Sequence, residues 1–272
     1  MRKTLHGLMM VLSMALAAGA ESVPADFTAA FAPVGELKQK LSANGLQVLG
    51  SHEIAGNSNY VSVVYTSPEL KRAAELPKRG FAATLRVLVD LEGKRLVAAN
   101  PEYYLRAFLQ GDYVEGMAAP VAEKLKKALG EWTPTEDAMD AKKLAKYRFM
   151  FAMPRYDAFQ TVAKGAQEIL CEKIELRAKD SIVFKLDLKG DGSSVLYGVA
   201  MPPEVEKFNE KIGTMNKAYL LPYVVWIEGD EAKILPARYY LALSFPRLTM
   251  TEFGRIMSTP GKIKKTIAAD FE

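Results

Sequence analysis

Few side chains in this sequence carry reactive or metal-binding chemistry, and they are scattered rather than gathered in motifs. Of the two histidines, His6 falls in an apolar leader and His52 stands alone downstream. A lone imidazole excludes multi-histidine metal sites and makes a Ser-His-Asp triad rest on one residue at a strand end. His52 is a candidate haem or metal ligand, beside the ordinary reading of a polar strand-end residue. Met150 and Met153 form an M-x-x-M pair whose thioethers suit soft Cu(I). Their neighbours Phe149, Phe151 and Pro154 also fit core packing, where methionine fills gaps. The single cysteine, Cys171, lies in an apolar Ile-Leu-Cys stretch with no histidine nearby in sequence to activate it.

Arg86 is the most informative charge. It interrupts an apolar central strand, Leu85 to Val89, and a buried guanidinium needs a partner. Glu102 or Asp112 would supply a structural pair. The functional alternative is an anion-recognising group with Tyr103 and Arg106 beside it. Tyr103-Tyr104 and Tyr239-Tyr240 could line a pocket between two halves, or pack helices onto the sheets, because tyrosine has an apolar body and a polar tip. Arg86, Tyr103, Arg106 and Tyr239 are therefore the candidate ligand-binding residues, and Met150, Met153 and His52 the candidate metal ligands. Asp90, Glu92 and Asp230 sit in turns, where carboxylates are ordinarily solvated. The sequence holds no glycine-rich phosphate loop, paired-carboxylate hydrolase motif or CxxC. No catalytic residue is assigned, and no cofactor.

The elements that must position these residues repeat. Phe81 to Leu109 reads as strand, tight turn, strand, helix. Tyr219 to Phe245 reads the same way, with Glu92-Gly93 answered by Glu228-Gly229. The Tyr103 and Tyr239 pairs lie 136 residues apart. Upstream of each hairpin, YVSVVYTSPEL and SVLYGVAMPPEVEKF give a strand followed by a proline-opened helix, with Ser67 as a cap in the first copy. Asn44-Gly45 ends an earlier helix from Pro33. In the second half, a helix is expected over Asp157 to Leu170 and a strand over Lys173 to Arg177.

The inference is an internal duplication. The fold class is α+β: two similar units, each a mostly antiparallel sheet with helices on one face, docked as an internal pseudo-dimer within a monomer. Residues 21–118 form the first repeat and 119–146 a helical connector. Residues 147–248 form the second repeat and 249–272 the C-terminal helices, opened by the capping box Thr249 to Glu252.

Residues 1–20 read as a secretory signal: Arg2 and Lys3, an apolar run from Leu8 to Leu16, and Ala18-Gly19-Ala20 before Glu21. The run is too short to span a bilayer. The expected protein is exported to the periplasm, with no membrane attachment after cleavage. The formal charge of +4 falls close to neutral once Arg2 and Lys3 leave, so no nucleic-acid footprint is expected.

Leu85-Arg86-Val87-Leu88-Val89, Gly93-Lys94 and Asn100-Pro101-Glu102-Tyr103 resemble the core of the bacterial domain of unknown function 302. The second copy is similar but more divergent, with Pro222 where Arg86 stands and Pro236-Ala237 in place of Asn100-Pro101. The resemblance implies compact α+β units that pair as dimers, and it implies no reaction. The leading reading is an exported, non-enzymatic binding or accessory protein, whose partner is a small molecule or a periplasmic protein. The alternatives are a copper or haem handler using the methionines and His52, and an uncharacterised enzyme acting through Arg86.

Overall fold

The computed structural model describes residues 21–272. The expected export signal over 1–20 lies outside the described residues. The chain begins with strands β1 (Ser22–Pro24) and β2 (Asp26–Ala30) and helix α1 (Val34–Ala43), which buries Leu37 and Leu41 one turn apart. Gly45, at φ 76°, closes that helix as the Asn-Gly pair predicts. Strands β3 (Gln47–Glu53) and β4 (Tyr60–Thr66) follow, then α2 (Pro68–Ala74), where Ser67 Oγ accepts the Leu70 N–H. The hairpin β5 (Leu85–Asp90) and β6 (Arg95–Ala99) leads into α3 (Pro101–Leu109), capped by Asn100.

The hairpin turn differs from expectation in one detail. Lys94, not Gly93, takes the left-handed backbone, at φ 51°. Gly93 is required for space instead: a Cβ there would sit 2.3 Å from Asp90 Oδ2. The Asp90 carboxylate accepts the Gly93 N–H at 2.7 Å and the Arg95 Nε–H at 3.0 Å, so the turn is wrapped around it.

The expected connector is helical only at its ends, α4 (Ala119–Leu129) and the single turn α5 (Ala141–Leu144). Between them, β7 (Trp132–Pro134) pairs with β2, and β8 (Ala138–Asp140) pairs with β1. Trp132 stacks on Phe27 at 4.3 Å, and Pro134 is tolerated because β7 is an edge strand.

The second half opens with β9 (Gln160–Lys164) and α6 (Gln167–Arg177), which correct the expected helix over 157–170 and strand over 173–177. Gly165, at φ 156°, separates the two, and α6 buries only Leu170 and Ile174. With two apolar contacts along its length, its periodicity was too faint to read. Then come β10 (Ile182–Asp187), β11 (Ser194–Val199), the single turns α7 (Pro203–Glu206) and α8 (Phe208–Lys211), β12 (Tyr223–Glu228), β13 (Glu231–Ile234) and α9 (Ala237–Ser244). Helices α10 (Met250–Arg255) and α11 (Thr259–Ala269) end the chain, with the Thr249–Glu252 capping box formed on both sides.

Every strand pairing is antiparallel, and the fold is mixed α+β. One sheet runs β3-β4-β5-β6-β2-β7 and the other β10-β11-β12-β13-β9. In each, the opening strand lies beside the second strand of the hairpin. The edge strands β3 and β10 meet, and each carries a register shift, at Val48/Gly50 and at Ile182/Phe184. A Cβ on Gly50 would lie 2.4 Å from the Val183 carbonyl oxygen, so only glycine permits this approach.

Strands β5 and β11 are buried along their whole length, which accounts for sequences that are apolar at most positions on both faces, Arg86 and Asp90 in β5 and Ser194 in β11 excepted. Gly80 lies flat against the indole of Trp226 in the other half, where a Cβ would meet the ring at 2.6 Å. Gly80→Ala is therefore expected to lower stability by about 1–3 kcal/mol through overpacking. Gly111→Ala, which meets no atom within 4 Å, serves as the control. Urea melts of the two variants measure the difference, and equal midpoints would contradict this packing.

Candidate functional site

Tyr103 and Tyr239 come together at the seam between α3 and α9. The Tyr103 hydroxyl donates to the Leu243 carbonyl at 2.9 Å, and the Tyr239 hydroxyl donates to the Ala107 carbonyl at 3.2 Å. The 136-residue offset that converts Tyr103 into Tyr239 also converts Ala107 into Leu243, so the two bonds are images of one another. Burial holds both phenols well above their ordinary pKa, so they remain donors at neutral pH. Tyr240 packs on Phe108 at 6.1 Å and Tyr104 on Tyr219 at 6.2 Å, extending the seam. The tyrosine pairs thus pack helices of one half against the other.

Arg86 also faces this seam. It is 4% exposed, and one of its amino groups donates to the Pro222 carbonyl at 3.2 Å. The expected pairs with Glu102 and Asp112 do not form. Glu102 is taken by Arg106 and Tyr113, and Asp112 by Arg79. The cavity beside Arg86 measures about 10 Å³, room for one water-sized group rather than a metabolite.

Arg106 is placed elsewhere, in a surface cluster. It grips the Glu115 carboxylate through both oxygens at 2.8 and 2.7 Å, bonds Glu102, and lies over the Tyr113 ring at 4.6 Å. Its Nε and one amino group are engaged by that network.

The metal candidates are not gathered by any shared contact or pocket among the described residues. His52 Nε2 donates at 2.8 Å to Glu206, a fully buried carboxylate that also accepts the Ala55 and Met201 N–H groups. The imidazole thereby ties the edge strand β3 to α7. Met150 is 45% exposed in a turn, whereas Met153 packs against the core. Among the described residues, no group of three or more His, Cys, Asp or Glu side chains is placed to hold a metal ion.

One of several clefts of ligand size lies away from every sequence motif. It encloses about 270 Å³ between Asp137 of the connector, the Ile212–Lys217 loop and the segment from Phe245 to Glu252. Lys217 pairs with Asp137, and Arg247 with Glu136. Ile212, Phe245 and Leu248 supply an apolar lining. Lys217 is linked electrostatically to a buried relay behind it. Asp26, fully buried, accepts the Tyr219 hydroxyl at 2.9 Å, and Tyr104 and Tyr219 hydroxyls meet at 3.3 Å. Asp26 Oδ1 and the Thr135 hydroxyl end without hydrogen-bond partners. Burial raises the Asp26 pKa above 3.8, outweighing the Tyr219 hydroxyl and Lys217, which pull it down. Nothing in spacing or composition marks these residues. Asp26, Asp137 and Lys217 come from three separate segments, so only folding brings them together.

A scan against protein-family models finds no match. Searches of curated proteins and of solved structures find none either. No helix among the described residues is long and apolar enough to cross a membrane.

Two outcomes are expected. Tyr103→Phe and Tyr239→Phe each remove a buried hydrogen bond across the seam and should each cost about 1 kcal/mol in denaturant melts; no loss in either would remove the seam's reciprocal bonds from the energetics. For Asp26, the folded chain favours the protonated acid, so its contribution to stability is fully present below pH 3.8 and is lost as pH rises through the elevated folded pKa. Asp26→Asn cannot ionise. Its melting temperature relative to the parent should therefore climb as pH rises from 3.8, and a pH-independent difference would be incompatible with the raised pKa.

Proposed function

We propose that this is an exported, periplasmic, non-enzymatic binding protein, built by internal duplication and folded as a pseudo-dimer within one chain. The leader-like residues 1–20 support export. The matching strand orders of the two sheets support duplication. So do the image-related bonds Tyr103 to Leu243 and Tyr239 to Ala107, because an isologous contact is what a two-fold pair requires. The resemblance of the β5–β6 hairpin to the domain of unknown function 302 fits the same reading, as a tandem of units that otherwise pair as dimers.

The observation that carries the binding role is the 270 Å³ cleft. It is close to the lower limit of about 300 Å³ for small-molecule sites. Its apolar wall and its two cation–carboxylate pairs, Lys217–Asp137 and Arg247–Glu136, suit a small amphipathic ligand bearing charge. Such a ligand would exchange its own charged groups into the pairs, while the hydrophobic wall takes up its body. The cleft holds no paired nucleophile and base, which favours binding over catalysis.

Thermal melts against a panel of small carboxylates and zwitterions provide the test. At least one ligand should raise the melting temperature in proportion to the logarithm of its concentration. Thr214→Trp, which fills the cleft, and Arg247→Ala, which removes one charge pair, should abolish or weaken that shift. A panel without hits, or hits indifferent to both substitutions, would defeat the proposal.

A further inference from the structure

We propose that the small cavity beside Arg86 is a built-in site for one monovalent anion of halide size, acting as the counter-ion of a guanidinium sealed between the two halves. This site is separate from the cleft at Lys217 and does not depend on its function.

Arg86 lies on the central strand β5 and is all but excluded from solvent. Its only hydrogen bond among the described residues goes to the Pro222 carbonyl, and Nε is left without a partner. No salt bridge among the described residues reaches it, because Glu102 and Asp112 serve Arg106 and Arg79. Arginine cannot shed its proton in a protein. A lone buried charge is strongly unfavourable unless something neutralises it.

The nearest group able to carry negative charge is Tyr240, which lines the same cavity. Burial raises its pKa although the neighbouring guanidinium pulls it down, so the phenol stays neutral at physiological pH. Its oxygen lies toward the guanidinium, which leaves the O–H free to donate to an anion in the cavity that both groups line. Tyr65, within electrostatic reach of Arg86, also ends with an unpartnered, fully buried hydroxyl.

The cavity measures about 10 Å³ and is otherwise walled by Phe81, Phe108, Tyr223, Val224 and Leu235. One water-sized group fits. A water would neutralise nothing, and it needs two to four polar partners, of which these walls offer few. A chloride accepts from the guanidinium and the phenol and supplies the missing charge. Larger anions are excluded by volume. Phe81, Arg86 and Phe108 belong to the first half, and Tyr223 and Tyr240 to the second, so the anion would bind only when the halves are docked.

The test compares thermal melts in potassium chloride, bromide and gluconate at equal ionic strength. Chloride and bromide should raise the melting temperature progressively with concentration, and gluconate, too large for the cavity, should not. The halide increment should vanish in Arg86→Met and shrink in Tyr240→Phe. Should Arg86→Met fail to fold, bromide-soaked crystals of the unaltered protein decide the matter: an anomalous peak beside Arg86 Nε supports the site. Identical melts in chloride and gluconate, or a cavity holding water without bromide, would overturn it.

Discussion

A buried phenol is stabilised by an acceptor, and for Tyr103 and Tyr239 that acceptor belongs to the opposite half. Tyr103 and Tyr239 spend their hydroxyls on carbonyls of α9 and α3, the helices on which their counterparts sit. A buried hydroxyl left unsatisfied costs about 1–3 kcal/mol, so each half is incomplete without the other. The same seam carries Tyr104, Tyr219, Tyr223 and Tyr240, all pushed toward the neutral form by burial. The core is therefore continuous across the two sheets, with hydrogen bonds fixing the register of what dispersion alone would leave adjustable.

Positions related by the 136-residue offset diverge where the surface becomes chemically distinctive. Arg86 corresponds to Pro222, and the two meet directly through guanidinium and carbonyl. Trp226 corresponds to Asp90. The indole fills the space over Gly80, whereas Asp90 turns inward to organise its own hairpin through Gly93 and Arg95. The cleft at Asp137 and Lys217 arises from the connector, which has no counterpart in the second half. The small cavity beside Arg86 and the cleft at Lys217 thus both lie where the surroundings of the two sheets differ.

The hairpins, the proline-opened helices and the capping box were legible because each is a local device. Ser67, Asn100 and Thr249 cap helices through neighbours two or three residues away. The strand over 160–164 and the helix over 167–177 were not legible, because their apolar contacts are few and their identity is imposed by pairing with β13 and packing on the sheet. Trp132–Pro134 became a strand because β2 offered a free edge and Phe27 a stacking surface. For the candidate site, the sequence singled out Arg86 as a charge in need of explanation, yet its carbonyl partner, Pro222, lies far along the chain, just before β12.

By itself the sequence determined the α+β class, the repeated hairpin and helix, and the scarcity of reactive groups, since periodicity, turn chemistry and composition are properties of neighbouring residues. Tertiary structure alone decided that the tyrosine pairs close a seam, that His52 is bound to Glu206, and that Asp137 and Lys217 line a cleft with Asp26 buried nearby. These depend on which distant segments meet in a low-dielectric interior, where a hydroxyl or a charge takes its role from the partner it finds.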